Sequence, residues 1–196
     1  MIFLGECFNA LYTRRYLQEY ILLLILIDWY RSAEKLDGSE QAPTLSFLKD
    51  ISKKVGTYLV AGSIPEKGED GKLFNTCMVF DRKGEIIAKF RKLHLFDIDI
   101  PGKVTYKESD TFGAGNKIVT FDTEYCKFGL GICYDIRFPE LGILMAKQGA
   151  KVLVYPGNFT VHTGGMQHWD LLLKARALDN QVRELIRTLC NRDRPM

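Results

Sequence analysis

The sequence lacks both a long apolar segment and a strong excess of one charge. Its longest aliphatic run, residues 21–27 (ILLLILI), is bounded by Glu19 and Asp28, whereas a membrane-spanning helix needs about 20 residues. We therefore expect no transmembrane helix and no membrane partner. Lys and Arg total 27 against 24 Asp and Glu, for a net charge of +3. Because the charges are spread along the chain, they provide no footprint for nucleic acid.

Cysteine and histidine are both sparse. The five cysteines, an odd number, contain no CxxC pair, and there is no signal-peptide pattern. This combination is typical of free thiols in a reducing compartment, so we expect a cytoplasmic location, with the mitochondrion as a second candidate. The three histidines form neither HxH nor HExxH, and no cysteine cluster accompanies them, so we expect no metal site.

What is present is an ordinary globular composition. The chain has 196 residues, of which 46% are hydrophobic and 26% charged. These values argue against a disordered chain and against a disulfide-stapled miniature. The length favours a single domain, spanning residues 1–196, with one sizeable core.

Apolar periodicity predicts an α/β domain. Strand-like patterns occupy residues 58–64, 76–81, 85–90, 117–122, 127–133 and 151–157, with the second and third forming a hairpin. Helical patterns occupy residues 46–55, 139–148 and 168–180. Buried strands with intervening helices indicate a layered domain in which both faces of a sheet are covered.

Three candidate functional residues follow predicted strands: Glu6, Lys92 and Cys133. Reactive groups gather at strand ends in such sheets. Cys133 lies between a strand and a helix that Pro139 opens. In a sharp turn there, backbone N–H groups would stabilise an oxyanion and lower the pKa of the thiol. The alternative is that Cys133 is a small buried core residue.

The residues alone leave the partners of this thiol open. Glu6 follows an apolar opening, where burial would make its carboxylate a proton shuttle, but it can also be read as a solvated charge. Lys92 stands beside Lys89 and Arg91, where a solvated basic rim is the alternative.

The histidines give no compelling base for a cysteine nucleophile. A papain-like pair with His94, His162 or His168 is conceivable, but none stands at a spacing that requires it. We interpret His94 and His168 as structural residues or members of a polar network.

Three segments resemble the signature segments of the nitrilase superfamily of carbon–nitrogen hydrolases. They are GECFN (5–9), KFRKLHLFDIDIPG (89–102) and GLGICYDIRFPE (129–140), accompanied in order by GSIPE, LFNTC, YPGNF and RALDNQ. The resemblance covers most of residues 6–182 and implies a four-layer αββα sandwich. HLFDIDIPGK together with RALDNQ is most similar to the omega-amidase branch, which hydrolyses α-keto acid amides such as 2-oxoglutaramate and 2-oxosuccinamate.

The resemblance also implies roles for the matched residues. Cys133 would attack the amide carbon, Glu6 would act as general base and acid, and Lys92 with the backbone N–H of Tyr134 would stabilise the oxyanion. Ammonia would leave first, and water would then hydrolyse a thioester, without a cofactor. Glu108 would support Lys92 and the substrate amide.

Arg137 has two interpretations. Its guanidinium suits bidentate pairing with the carboxylate at the far end of a keto-acid amide. Alternatively, it forms a structural ion pair with Asp135 or Glu140.

Parts of the sequence depart from the family pattern. The chain begins five residues before Glu6, residues 20–31 have no counterpart, and the residues after 182 diverge. We therefore expect a partial carbon–nitrogen hydrolase domain, truncated at both ends.

Several functions stay open beside the omega-amidase interpretation. One is a different nitrilase-like amidase, acting on deaminated glutathione, an N-carbamoyl compound or a nitrile. Another is a catalytically inactive fragment that acts by interaction. The resemblance further implies a homodimer formed partly through the predicted helices at 139–148 and 168–180.

Overall fold

The computed structural model of the protein describes residues 1–8, 29–37, 42–102, 104–159 and 168–185. The apolar run at 21–27, His162 and the divergent residues after 185 lie outside this part of the chain. None of the helices in the described ranges has both the length and the apolar character needed to cross a membrane.

The first sheet has four strands in the order β1-β2-β3-β4. Their bounds are β1 Ile2–Phe3, β2 Leu59–Lys67, β3 Leu73–Phe80 and β4 Ile86–Arg91. β1 runs parallel to β2, and the other pairs are antiparallel. The three strands predicted at 58–64, 76–81 and 85–90 are all present, and the last two form the expected hairpin.

The second sheet has the order β10-β9-β8-β7. Its strands are β7 Val119–Asp122, β8 Lys127–Leu130, β9 Val152–Val154 and β10 Arg183–Leu185. β8 and β9 are parallel, as a strand, helix, strand unit requires. The predicted strand at 127–133 ends earlier than expected, because the chain turns into a 3-10 helix, Cys133–Arg137.

Helices cover the outer faces of both sheets. Helix α1 spans Pro43–Val55, α2 spans Pro139–Lys147 and α3 spans Trp169–Asn180. α1 packs on the first sheet, and α2 packs on β8 and on α3. The layers are therefore helix, sheet, sheet, helix, which is the αββα arrangement expected from the sequence.

Helix α1 begins earlier than the apolar pattern predicted. Pro43 occupies the first turn, where a missing N–H costs nothing. The N–H groups of Thr44 and Leu45 donate to the buried carboxylate of Glu34, at 2.9 and 3.1 Å. The cap therefore comes from a residue remote in sequence, which a local pattern does not reveal. The helix ends at Gly56, whose φ of 65° is left-handed.

Alternation along β3 sends successive side chains to opposite faces of the first sheet. Met78 and Phe80 pack beneath α1 with Leu45 and Leu48. The other face packs against the second sheet. Its apolar contacts there come from residues on both sheets, Val60, Cys77, Val79, Phe90, Phe128, Leu130 and Ile132. Asn75 shares this inner face, so the one polar side chain of the alternating set points between the sheets.

A two-stranded hairpin, β5 Asp97–Ile100 and β6 Val104–Lys107, follows the first sheet. None of the strand-like patterns predicted from the sequence lies in this segment. The two strands do alternate, as DIDI and VTYK, but each has only four residues. Since Asp97, Asp99 and Ile100 are all exposed, the alternation does not mark a buried face.

Candidate active site

Glu6 follows β1 and is almost fully buried, with 2% of its surface exposed. Its Oε1 accepts hydrogen bonds from Lys92 Nζ at 2.8 Å and from Asn75 Nδ2 at 3.0 Å. Its Oε2 accepts the backbone N–H of Asn158 at 3.1 Å. The alternative of a solvated charge is therefore wrong for Glu6.

Lys92 comes directly after β4 and has no exposed surface. Besides Glu6, its ammonium contacts both carboxylate oxygens of Glu108, at 3.1 and 2.9 Å. Burial acts to lower the pKa of Lys92, but the charges of Glu108 and Glu6 outweigh it, so that the pKa stands well above its ordinary value. Lys92 is thus a permanent cation, and the basic-rim alternative is wrong for it.

The solvated basic rim is formed instead by Lys89 and Arg91, which precede Lys92 and point to the other face of the sheet. Lys89 and Arg91 are 40% and 36% exposed, and both donate to Glu66. Thr76 Oγ1 also donates to Glu66, at 2.6 Å. We refer to Glu66, Thr76, Lys89 and Arg91 as the outer cluster.

Glu108 opens a short 3-10 helix after β6 and is fully buried. Its Oε2 accepts the backbone N–H of Phe96 at 2.7 Å, and its own N–H donates to the Phe96 carbonyl at 3.1 Å. Glu108 therefore fastens both ends of the β5–β6 hairpin while it contacts Lys92. It lies within the site, as the resemblance implied.

Asn75 is the member of this site that sequence reasoning missed. Its Nδ2 donates to Glu6 Oε1 and to Glu108 Oε1, both at 3.0 Å. A signal was available, because Asn75 falls at an inward position of β3, where the alternation calls for an apolar residue. We refer to Glu6, Asn75, Lys92 and Glu108 as the inner cluster.

Cys133 lies at a strained turn beside the inner cluster. Its φ of 46° is left-handed, which is costly for a residue with a side chain. Its N–H donates to the Pro156 carbonyl at 2.8 Å. A Cβ on Gly157 would lie 3.3 Å from the Cα of Cys133, a tight contact that a larger residue could make only if the turn shifted by a few tenths of an ångström. The predicted sharp turn between strand and helix is present.

The environment of the Cys133 thiol favours its neutral form. Burial and the charge of Glu6 raise its pKa well above the ordinary value, against the opposing charge of Lys92. The proximity of Glu6 raises the pKa of the thiol further, whereas the backbone N–H of Asn158 acts to lower it. The sequence had led us to expect a lowered pKa at this turn. That expectation was wrong, because burial and the charge of Glu6 dominate. A neutral thiol needs a base, and Glu6 is the buried carboxylate whose charge acts on it most.

Asp135 ties the nucleophile turn to the segment after β4. Its Oδ2 accepts the N–H of Ile132 at 2.9 Å, which caps the 3-10 helix. Its Oδ1 accepts the backbone N–H of His94 at 2.9 Å and lies 2.6 Å from His94 Nδ1. The His94 ring stacks on Phe138 at 3.6 Å. His94 is thus a polar-network residue, as interpreted from the sequence, and it lies two residues from Lys92.

Arg137 lies at the far end of the same 3-10 helix. Its Nη2 is 3.1 Å from His168 Nδ1, and its guanidinium lies over the rings of Tyr134 and Phe159 at 5.8 and 5.6 Å. Among the described residues it forms no ion pair with Asp135 or Glu140, so that alternative is wrong. His168 contacts Arg137, and among the described residues it forms no hydrogen bond with Cys133 of the kind that a papain-like pair needs.

Other chemistry at the site is limited. Cys7, next to Glu6, is a second buried thiol, and burial with the charges of Glu6 and Glu108 raises its pKa well above the ordinary value.

Within the described ranges, no group of three or more His, Cys, Asp or Glu side chains is placed to hold a metal ion. The arrangement offers a thiol, a buried carboxylate and a fixed cation, which together suit acyl transfer.

The comparisons with known proteins agree with this geometry. The Carbon-nitrogen hydrolase family matches residues 1–182, and the chain belongs to that family. It is 47% identical to human "Omega-amidase NIT2" and 48% identical to "Hydrolase C26A3.11" of Schizosaccharomyces pombe, each over 182 residues and 93% of this chain. These matches cover 59% and 52% of the two relatives, so the chain spans less than two thirds of their length.

Solved structures show the same fold. Nit3 of Saccharomyces cerevisiae, a nitrilase superfamily member, superposes with a TM-score of 0.78 at 37% identity and covers 95% of this chain and 60% of its own. The NitFhit protein of C. elegans gives 0.75 at 32% identity, covering 95% of this chain and 42% of its own. The sandwich is therefore of the nitrilase type.

Proposed function

We propose that the chain is a thiol amidase that hydrolyses the terminal amide of α-keto acid monoamides, namely 2-oxoglutaramate and 2-oxosuccinamate. The observation that carries this is the buried Glu6, Lys92 and Glu108 cluster beside the Cys133 turn, in which Lys92 Nζ donates to Glu6 Oε1 at 2.8 Å and the charge of Glu6 raises the pKa of the Cys133 thiol. Family membership favours hydrolysis of carbon–nitrogen bonds, and relatives near 47% identity are named omega-amidases.

In the first half of the reaction, Cys133 Sγ attacks the amide carbon while Glu6 takes the thiol proton. The carbonyl electrons move to oxygen, where Lys92 and the N–H of Tyr134 stabilise the charge. That N–H lies in the first turn of the 3-10 helix, where it has no intrahelical partner. As the C–N bond breaks, Glu6 returns its proton to nitrogen and ammonia leaves a thioester.

In the second half, Glu6 takes a proton from water, and the resulting hydroxide attacks the thioester carbon. The same donors stabilise the second oxyanion. The C–S bond then breaks, the sulfur regains its proton from Glu6, and the dicarboxylate is released. Glu108 holds Lys92 in place through both halves, because two of the hydrogen bonds of the ammonium go to its carboxylate.

We propose that Arg137 binds the distal carboxylate of the substrate. Its guanidinium has the His168 imidazole and two aromatic rings as neighbours, so it keeps donors for an incoming carboxylate. Replacing Arg137 by Leu should raise KM for 2-oxoglutaramate about tenfold or more, with a smaller change in kcat. Equal losses for 2-oxoglutaramate and for a neutral amide would contradict the assignment.

The test of the activity is ammonia release from 2-oxoglutaramate by the purified chain, with thermal unfolding recorded alongside. Replacing Cys133 by Ala should abolish release, while the same change at the half-buried Cys126 should leave it intact. Faster turnover of a nitrile, an N-carbamoyl compound or deaminated glutathione would move the assignment to another branch of the family. A cooperatively folding chain with no thiol-dependent release would favour a fragment that acts by interaction.

We also propose a homodimer formed through α2 and α3. Leu171 and Leu178 stand seven residues apart on one face of α3 and are 64% and 78% exposed, and Leu144 on the adjacent α2 is 44% exposed. Such a surface is typical of an interface. Light scattering should give a dimer for the wild type and a monomer for the variant Leu178→Lys, and a monomeric wild type would contradict the proposal.

A further inference from the structure

Asn75 closes a ring of hydrogen bonds within the inner cluster. Lys92 Nζ donates to Glu6 Oε1 at 2.8 Å and to Glu108 Oε1 at 3.1 Å. Asn75 Nδ2 donates to the same two oxygens, both at 3.0 Å. A side-chain amide nitrogen has two hydrogens, and here each of them reaches a different carboxylate. The two carboxylates are therefore held at a fixed separation by one charged and one neutral donor.

The neutrality of the amide matters to the charge balance. The inner cluster contains two carboxylates and one ammonium, all buried. An aspartate in place of Asn75 would add a third negative charge and remove both donors. An apolar residue would leave each Oε1 oxygen with one donor fewer, where water does not replace it. Asn75 supplies donors to both carboxylates without altering the charge.

The ring makes the two oxygens of Glu6 different. Oε1 receives hydrogen bonds from both Lys92 and Asn75, which occupy its two lone pairs. Oε2 receives the backbone N–H of Asn158 at 3.1 Å. The two residues before Asn158 lie against Cys133, because its N–H donates to the Pro156 carbonyl at 2.8 Å and a Cβ on Gly157 would lie 3.3 Å from its Cα. Oε2 therefore faces the side on which Cys133 lies. Oε2 is thus the oxygen with capacity to accept a proton from the thiol.

We propose that Asn75 is a positioning residue that fixes Glu6 so that Oε2 alone exchanges the proton with Cys133. The inference rests on the proposed function in one respect only, namely that Cys133 is the nucleophile and Glu6 its base. It assigns to Asn75 no contact with substrate. It explains why a polar side chain occupies an inward position of β3 that is otherwise apolar.

The test uses alkylation of Cys133 by iodoacetamide, followed by intact mass from pH 5 to pH 9. In this reaction the C–S bond forms, the C–I bond breaks with loss of iodide, and the thiol proton passes to Glu6. Replacing Asn75 by Leu should slow alkylation at pH 7 by about tenfold to a hundredfold. Replacing it by Asp should also move the low-pH fall in the alkylation rate to higher pH, because a third carboxylate opposes ionisation of its neighbours.

Two controls make the result specific. The exposed Asn116, changed to Asp, should keep the wild-type rate within about twofold. Labelling of the Cys133→Ala variant measures the contribution of the other thiols. Wild-type rates and an unmoved low-pH fall in both Asn75 variants would overturn the proposal.

A measurement on the wild type covers the case in which the variants do not fold. Two-dimensional NMR of the ¹⁵N-labelled chain should show both Asn75 amide protons exchanging slowly with solvent. The chemical shifts of these protons should change with pH at the same midpoint as the low-pH fall in the alkylation rate. The proposal would be overturned by exchange as fast as that expected for the exposed Asn116, or by chemical shifts that do not change at this midpoint.

The two hypotheses fail separately. Alkylation needs no amide hydrolysis, so a chain that releases no ammonia but shows the Asn75-dependent profile would reject the proposed function and retain the role of Asn75. A chain that releases ammonia with the Asn75 variants unchanged would do the opposite.

Discussion

Two neighbouring residues of β3, Asn75 and Thr76, lie on opposite faces of the first sheet and belong to different charge clusters. In the outer cluster, one carboxylate meets two bases whose side chains are exposed at the rim. In the inner cluster, two carboxylates share one lysine, and all three are buried. The outer arrangement has the composition of a structural ion pair, whereas the inner one has two carboxylates for one ammonium, all of them buried.

The difference separates a structural ion pair from the group that the proposed reaction would use. Solvent reaches Lys89 and Arg91, so their pairing with Glu66 contributes modestly to stability. The side chains of the inner cluster are buried, where an unbalanced charge is costly. Buried charged groups of this kind are enriched at functional sites. The following predictions test whether the two faces differ as this argument requires.

The largest effect is expected from Lys92→Met, which leaves Glu6 and Glu108 buried without a cation. Removing one partner of a buried ion pair costs about 3–5 kcal/mol. Loss of oxyanion stabilisation should also lower amide hydrolysis by at least about 10²–10³-fold. Urea unfolding and ammonia release measure the two effects. Lys89→Met is the matched control and should cost at most about 1 kcal/mol with activity retained. Equal destabilisation by the two variants would contradict the distinction.

A pH-dependent effect is expected from Glu66→Gln. Burial raises the pKa of Glu66, but hydrogen bonds from Arg91, Thr76 and Lys89 outweigh it and bring the pKa from 4.5 to about 2. Because this folded-state pKa is depressed, its stabilisation is complete above pH 4.5 and is lost as the pH falls toward 2. After allowance for solvent at the rim, wild type should lose about 1–2 kcal/mol more than the variant across this range.

The measurement is urea unfolding of both proteins at several pH values between 5 and 2.5. The exposed Glu85, changed to Gln, should follow the wild-type slope. An identical slope for wild type and Glu66→Gln would mean that the outer cluster does not hold its carboxylate as described.

The smallest effect is expected from Thr76→Val, which removes one hydrogen bond to Glu66 at nearly constant volume. Two basic partners remain, so the loss should be about 0.5–1 kcal/mol in the free energy of unfolding. Alkylation of Cys133 should stay at the wild-type rate, because Thr76 lies on the other face of the sheet. A slowed alkylation here would show that the faces are coupled.

Much of the fold was predictable because local patterns control it. The alternation in β3 and the apolar run of β9 identify strands, and Pro139 identifies the start of α2. The β5–β6 hairpin was missed, because its alternating strands have only four residues each and bury no apolar face of a sheet. The early start of α1 was missed, because its cap, Glu34, is supplied from outside the helix.

The site was only partly predictable from the residues. Their positions at strand ends identified Glu6, Lys92 and Cys133 as candidates. Burial, however, is a property of the assembled sheets. The alternatives in which Glu6 and Lys92 are solvated therefore stayed open until the resemblance was considered. Asn75 and Asp135 act through partners far away in sequence, 69 residues for Asn75 with Glu6 and 41 for Asp135 with His94. Side-chain bonds of this kind leave no periodic signal in the chain.

The hydrogen bond from the Asn158 N–H to Glu6 joins residues 152 positions apart. Such a contact closes a very long loop, and its entropic cost is met only when the intervening strands are already in place. We therefore expect Glu6 and the Cys133 turn to come together late in folding. A partly folded chain would display Cys133 as an ordinary thiol without Glu6 nearby, so the reactivity of this one sulfur would report completion of the fold in a refolding experiment.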